Sequence, residues 1–144
     1  MVREARTKEL QALLELYLDL HDEPMAKKSA HLTRTWEDIM SDPHHHIIVN
    51  EVDGEIVSSC VCVIISNLTR GVRPYALVEN LVTRSDMRGK GYAQACLEYA
   101  KLFAHEANCY KIMLLTSSQD EKTLQLYRDA GFNSDDKTGF VQWL

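Results

Sequence analysis

Arg88-Gly89-Lys90-Gly91-Tyr92-Ala93 is the stretch on which the reading of this chain turns. Its two glycines let the backbone come close to a bulky group, and Arg88 and Lys90 add positive charge. A helical pattern follows at once. Tyr92, Cys96, Tyr99 and Phe103 form one stripe, and Ala93, Leu97, Ala100 and Ala104 form its neighbour. Gln94, Glu98, Lys101 and His105 take the opposite side. The first amides of such a helix have no partner inside it, so turn and helix together suit a phosphate. Two common phosphate motifs are excluded. GxxxxGK[ST] is absent, and a dinucleotide fingerprint needs a third glycine where Gln94 stands and a strand ending at the turn, whereas Thr83 to Met87 intervene. A purely structural turn is the plainer alternative, but these glycines precede a helix rather than end one.

Working outward, Tyr75 to Val82 reads as a strand, and the continuous apolar run Tyr110 to Thr116 as a central one. Strand, helix and strand make a crossover that joins parallel strands. Upstream, His46 to Val52 and Glu55 to Ile65 are β-rich runs joined by Asp53-Gly54, a tight-hairpin signal, and Asn67 to Pro74 is a turn-rich loop. Two helices come first. Thr7 is the expected cap of one carrying Leu10, Leu13, Leu14 and Tyr17; Thr35, with Asp38, is that of a second, stopped by Asp42-Pro43. Asp22 to Ser29, with Pro24, reads as the loop between them. Downstream, Ser118 with Glu121 signals a capping box for a helix ending at Gly131, and Gly139 to Trp143 reads as a last strand. The expected fold is a mixed α/β single domain over residues 1–144: a central, mostly antiparallel sheet with one parallel crossover and helices on both faces.

The chain as a whole narrows the function classes. Its 144 residues can bury a core without staples. A net charge of −5 tells against a nucleic-acid or anionic-membrane partner and makes the basic turn a small-anion site. No apolar run approaches the roughly 20 residues that span a bilayer, and Met1-Val2-Arg3-Glu4 opens no leader-like apolar stretch, so a cytoplasmic location is expected. Cys60, Cys62, Cys96 and Cys109 lack metal-ligand spacing and read as free thiols. His44-His45-His46, three in succession, cannot all face one ion from regular structure and read as solvated loop residues. No metal is expected.

Arg88-x-x-Gly91-x-Ala93 resembles the acyl-CoA pyrophosphate loop of the GNAT (Gcn5-related N-acetyltransferase) superfamily. The resemblance takes in Val78-Glu79-Asn80-Leu81-Val82, the loop, the long helix, the strand Tyr110 to Thr116, and Leu126-Tyr127-x-x-x-Gly131-Phe132. It implies an N-acetyltransferase that uses acetyl-CoA as co-substrate. Backbone amides of Arg88, Gly89, Lys90, Gly91, Tyr92 and Ala93, with Gln94, would hold the pyrophosphate. Main-chain groups of Leu81, Val82 and Thr83 would pair with the pantetheine arm, and an amide near Leu81 would polarise the thioester carbonyl. In relatives this strand carries a bulge and splays from its neighbour.

Two residues stand for catalysis. Glu79 is the polar exception in an apolar strand, read either as an edge carboxylate in solvent or as a base in an apolar cleft with a raised pKa. Tyr127 lies where many relatives place the tyrosine that assists the leaving thiolate; core packing is its other reading, because Leu124, Tyr127 and Ala130 share helical spacing. Asp120 departs from the asparagine frequent in relatives and reads as a helix cap. Cys109-Tyr110-Lys111-Ile112-Met113 with Leu126-Tyr127 is similar to glucosamine-6-phosphate N-acetyltransferases, although Glu79-Asn80 stands where those enzymes commonly have Glu-Asp. The acceptor is expected to be a small-molecule amine, with peptide amines also open. Arg70 and Arg73 read either as binders of an anionic acceptor or as solvated loop charges. A non-catalytic acyl-CoA-binding sensor or interaction module is the alternative function. The family analogy admits a homodimer, but nothing in the sequence locates its interface.

Overall fold

The computed structural model describes residues 1–144. A three-residue strand, β1 (Val2–Glu4), opens the chain and pairs antiparallel with β2 (His45–Val52). Three residues are too few to show a period, so no pattern in the sequence marks it. Arg3 fixes β1 by ion pairs to Glu9 and Glu51. The first helix does not start on a Thr7 cap. Thr7–Glu9 is a single 3-10 turn in which the Glu9 carboxylate accepts from the Arg6 amide at 2.7 Å, and α1 runs Leu10–Tyr17. The second helix starts earlier than expected. α2 spans Ala30–Ser41, capped by Ser29, whose hydroxyl accepts from the Leu32 amide at 3.0 Å; Thr35 lies inside it.

Asp53 and Gly54, with φ of 50° and 81°, turn β2 back into β3 (Glu55–Ile65) as a left-handed two-residue hairpin requires. β3 pairs antiparallel with β4 (Tyr75–Thr83). The helix α3 (Tyr92–Glu106) then crosses to β5 (Ile112–Leu114), which lies parallel to β4 and is shorter than the apolar run around it. A last helix, α4 (Glu121–Asp129), follows. The sheet order is β1-β2-β3-β4-β5, with only the last pair parallel.

The expected strand at Gly139 to Trp143 is absent. β5 offers only three ladder positions, and the chain passes its end so closely that a Cβ at Gly139 would collide with the Leu115 side chain.

Both sheet faces are covered. On one, Ile48, Cys60, Cys62, Ala76 and Val78 pack with Cys96, Leu97, Ala100 and Ala104 of α3. On the other, Ile47, Val49 and Val61 meet Leu13 of α1 and Trp36 of α2. All four cysteines are free. His45 and His46 belong to β2 rather than to a solvated loop, and His46 stacks on Phe103 with ring centroids 4.0 Å apart. No helix is long and apolar enough to cross a membrane.

Candidate active site

At the glycine turn the structure sets out a cradle of main-chain donors. After a 3-10 turn at Ser85–Met87, Arg88 is extended and Gly89 has φ 75°. Gly91, with φ 83°, is the N-cap of α3, and no side chain caps the helix. Both glycines occupy backbone conformations that a side chain would strain, and the space beside each Cα is open. The helical ladder starts with the Ala95 amide on the Gly91 carbonyl at 3.0 Å. The amides of Tyr92, Ala93 and Gln94 therefore have no partner within the helix, and the dipole of fifteen aligned residues adds to their pull on an anion. Asp19, just beyond α1, steadies the turn: its carboxylate accepts from the Ser85 amide at 3.0 Å and its carbonyl from the Arg88 guanidinium at 3.2 Å. Asp19 carried no signal in the sequence because it acts across a separation of more than sixty residues.

Beside the turn, β4 loses regularity on both edges. Towards β3, Val61 pairs with Glu79 and Ser59 with Val82, so Cys60 alone faces two residues, Asn80 and Leu81. Asn80 is left-handed with φ 52°, which marks the bulge that the resemblance implies. Towards β5, the ladder ends at Val78 with Leu114. From Glu79 onwards β4 has no strand on that side, and a gap opens through the sheet. The Arg84 amide donates to the Val57 carbonyl, and the buried Ser58 hydroxyl donates to the Val82 carbonyl at 2.8 Å. By strand alternation Val82 is therefore turned towards β3, while the main-chain groups of Leu81 and Thr83 face the gap, where the Thr83 carbonyl accepts from the Arg88 guanidinium at 3.3 Å. Of the three residues expected to pair with an extended ligand, Val82 is the one pointed away.

Glu79 and Tyr127 approach this gap from opposite faces. Glu79 shares the α1/α2 face with its partner Val61 and is exposed, not enclosed in an apolar cleft. Tyr17 lies half-buried on the same face beside Ser59; burial pushes its phenol pKa up, with the field of Cys60 adding to the rise. The sequence showed it only as part of a helical stripe. Tyr127 is half-buried against the α3 side of the core. Burial raises its pKa, and Thr116 beside it opposes the rise. The Tyr127-x-x-x-Gly131-Phe132 signature has a structural cause as well. The Phe132 amide returns to the Tyr127 carbonyl at 3.0 Å and the Gly131 amide to the Arg128 carbonyl at 2.9 Å, closing α4 around a left-handed Gly131. Asp120, rather than Ser118, caps α4, accepting from the Thr123 amide at 3.2 Å.

The loop cations lie elsewhere. Arg73 donates to the carbonyls of Asn108 and Cys109 at 3.1 and 3.0 Å, and Arg70 sits 5.6 Å from the centre of the Tyr110 ring. Both belong to the end of β4 remote from the glycine turn.

Residues 10–132 match the profile of the Acetyltransferase (GNAT) family. The chain belongs to that family.

Among its GNAT relatives, a glucosamine 6-phosphate N-acetyltransferase of Trypanosoma brucei brucei is 29% identical over 91 residues. The match spans 63% of this chain and 60% of that protein's length. Among solved structures, a putative acetyltransferase from Agrobacterium tumefaciens is 35% identical and superimposes with a TM-score of 0.92 over 100% of this chain and 99% of its own. A protein from Bacillus halodurans described as a transcriptional regulator, 24% identical with a TM-score of 0.87 over 99% of both chains, shares the fold.

Proposed function

We propose that this GNAT protein is an acetyl-CoA-dependent N-acetyltransferase that moves an acetyl group to a primary amine by direct attack in a ternary complex. The observation carrying this reading is the set of free amides at the start of α3, set beside the edge of β4 that β5 abandons after Val78. In this reading the backbone from Arg88 to Gln94 cradles the pyrophosphate, and Leu81 and Thr83 pair with the pantetheine arm as an added strand would. Bound acetyl-CoA supplies an activated acyl thioester. The Leu81 amide stabilises the negative charge that develops on the carbonyl oxygen.

The amine arrives from the α1/α2 face. With a pKa near 10.4, only about one lysine-like amine in a thousand is neutral at pH 7, a deficit of about 4 kcal/mol without a base. Glu79 takes that proton, directly or through water. Tyr127, kept protonated by burial, donates to the departing thiolate from the other face. No thiol serves as a covalent nucleophile: burial pushes Cys62 up to about 12 and Cys96 up to about 11, far from a reactive thiolate. The acceptor is a small-molecule amine, and the printed activity of the trypanosomal relative makes glucosamine 6-phosphate the first to try.

Calorimetric titration with acetyl-CoA, followed by thiol-release assays over a panel of amines, tests the proposal. Micromolar binding with acceptor-dependent thiol release is expected, and absence of binding overturns it. Glu79→Gln is expected to lower kcat/KM at least tenfold at pH 7, with the defect shrinking as pH rises towards the amine pKa and the acceptor loses its proton unaided. An unchanged pH profile removes Glu79 from the mechanism.

A further inference from the structure

The connection from β5 to α4 is held by side chains that each accept from an amide a little further on. The Thr116 oxygen accepts from the Ser118 amide at 3.1 Å, and the Ser118 oxygen from the Asp120 amide at 3.2 Å. The Asp120 carboxylate then accepts from the Thr123 amide at 3.2 Å. Such side-chain bonds hold an irregular segment to one course. Thr116 lies two residues past Leu114, which shares the α3 side of the core with Tyr127, and stands beside the Tyr127 phenol. Its oxygen already accepts from Ser118, and its hydroxyl proton is uncommitted.

Acid catalysis here has a difficulty that Tyr127 alone does not solve. An alkyl thiol has a pKa of about 8.5 and a phenol about 10, so passing a proton from phenol to thiolate runs uphill by about 30-fold. Burial of Tyr127 steepens the climb, because it disfavours the phenolate. A hydrogen bond donated to the phenolic oxygen works the other way, strengthening as negative charge gathers there. Thr116 opposes the rise from burial, the direction expected of a donor to that oxygen.

We propose that Thr116 is the positioning residue of Tyr127: its hydroxyl donates to the phenolic oxygen and leaves the phenol's own proton aimed at the departing sulfur. The inference rests on the proposed function and adds the group that makes Tyr127 usable as an acid. As the C–S bond breaks and its electron pair goes to sulfur, Tyr127 passes its proton to that sulfur. The phenolic oxygen keeps the electron pair of the O–H bond. Thr116 donates to this negative oxygen until water returns the proton. A phenol that donated to Thr116 instead would have its proton turned away from the gap.

Thr116→Val keeps the shape of the side chain and removes the hydroxyl, whereas Thr116→Ser keeps the hydroxyl. Thr116 is exposed, so neither change touches the core. Thr116→Val is expected to lower kcat about tenfold with acetyl-CoA affinity by calorimetry unchanged, and Thr116→Ser to stay within about twofold of the parent. In a Tyr127→Phe background Thr116→Val is expected to cost nothing further, because the two residues act as a unit. Phenolate absorbance, taken as the difference between each protein and its Tyr127→Phe counterpart, follows Tyr127 alone among six tyrosines. Its midpoint is expected at higher pH in Thr116→Val, where the bond that favours the phenolate is gone. Equal losses in the Val and Ser variants overturn the proposal, as does a Val defect that persists undiminished without the Tyr127 hydroxyl. If Tyr127→Phe lowers turnover and Thr116→Val does not, this inference fails while the proposed function stands. If Tyr127→Phe itself leaves turnover unchanged, the acid role of Tyr127 falls and that of Thr116 with it.

Discussion

β4 passes through two environments within nine residues. From Ala76 to Val78 it is paired on both edges, and beside this end lies a surface concavity of about 700 Å³, lined by Ile64, Leu68, Val72 and Tyr75 among others. From Glu79 to Thr83 it is bulged on one edge and unpaired on the other, and it lies near the free amides of α3. The cations Arg70, Arg73 and Lys111 gather at the first end, where aromatic rings and carbonyls already engage them. The unpaired amides of Tyr92, Ala93 and Gln94 lie at the second. Hollow size and side-chain charge thus point to one end of the strand, and unfilled hydrogen-bonding capacity to the other. The proposed function assigns the chemistry to the second, because polar groups already partnered have little left to offer a ligand.

The strongest way to break this assignment is Gly91→Glu. It puts a β-carbon on a left-handed backbone and a negative charge in the amide cradle. Acetyl-CoA affinity by calorimetry is expected to fall more than a hundredfold, and retained affinity would move the site elsewhere. Tyr127→Phe comes next. Turnover is expected to drop roughly 100-fold with acetyl-CoA affinity nearly intact, and unchanged turnover would leave Tyr127 a packing residue.

A smaller effect sharpens how dry the α3 side of the sheet is. Burial raises the pKa of Cys60, Cys62 and Cys96 above the unfolded value near 9.0. The folded state therefore holds protons that the unfolded chain releases. The resulting stability is fully present below pH 9 and is lost as pH climbs towards the folded values of about 11 to 12. Denaturant unfolding between pH 8.5 and 11 is expected to lose up to about 1.4 kcal/mol per pH unit for each thiol, with a shallower slope in Cys62→Ala. A flat profile would mean that water reaches these thiols. The smallest effect is expected from Arg70→Ala, at the other end of β4: acetyl-CoA affinity and turnover should stay within twofold. A larger change would bring the concavity into the active site.

Most of this geometry was legible because it rests on positional rules. Gly89 and Gly91 before an apolar stripe announced the turn and α3. Asp53-Gly54 announced the hairpin, and the order of strand, helix and strand announced the parallel pair. The misreadings have physical causes. Thr35 is a good cap residue that lies mid-helix because Ser29 captures the start first. Glu79 was open to two readings because its neighbours in sequence are apolar; with the β5 ladder ending at Val78, its side chain is exposed. Val82 could not be told from Leu81 and Thr83 without the bulge at Asn80, which resets which residues face which edge. Gly139 to Trp143 was read as a strand from its apolar pattern, but β5 has only three ladder positions and the segment lies outside the sheet.

The cradle at the start of α3 also bears on how such a protein can change. Its donors are main-chain amides, which every residue but proline possesses, so the donor end restricts the choice of amino acid chiefly at Gly89 and Gly91. In the proposed function the acceptor side, where Glu79 and Tyr17 lie, is built from side chains that substitution can alter one at a time. On that proposal, a lineage or an engineer could redraw what is acetylated while the main-chain cradle stays in place.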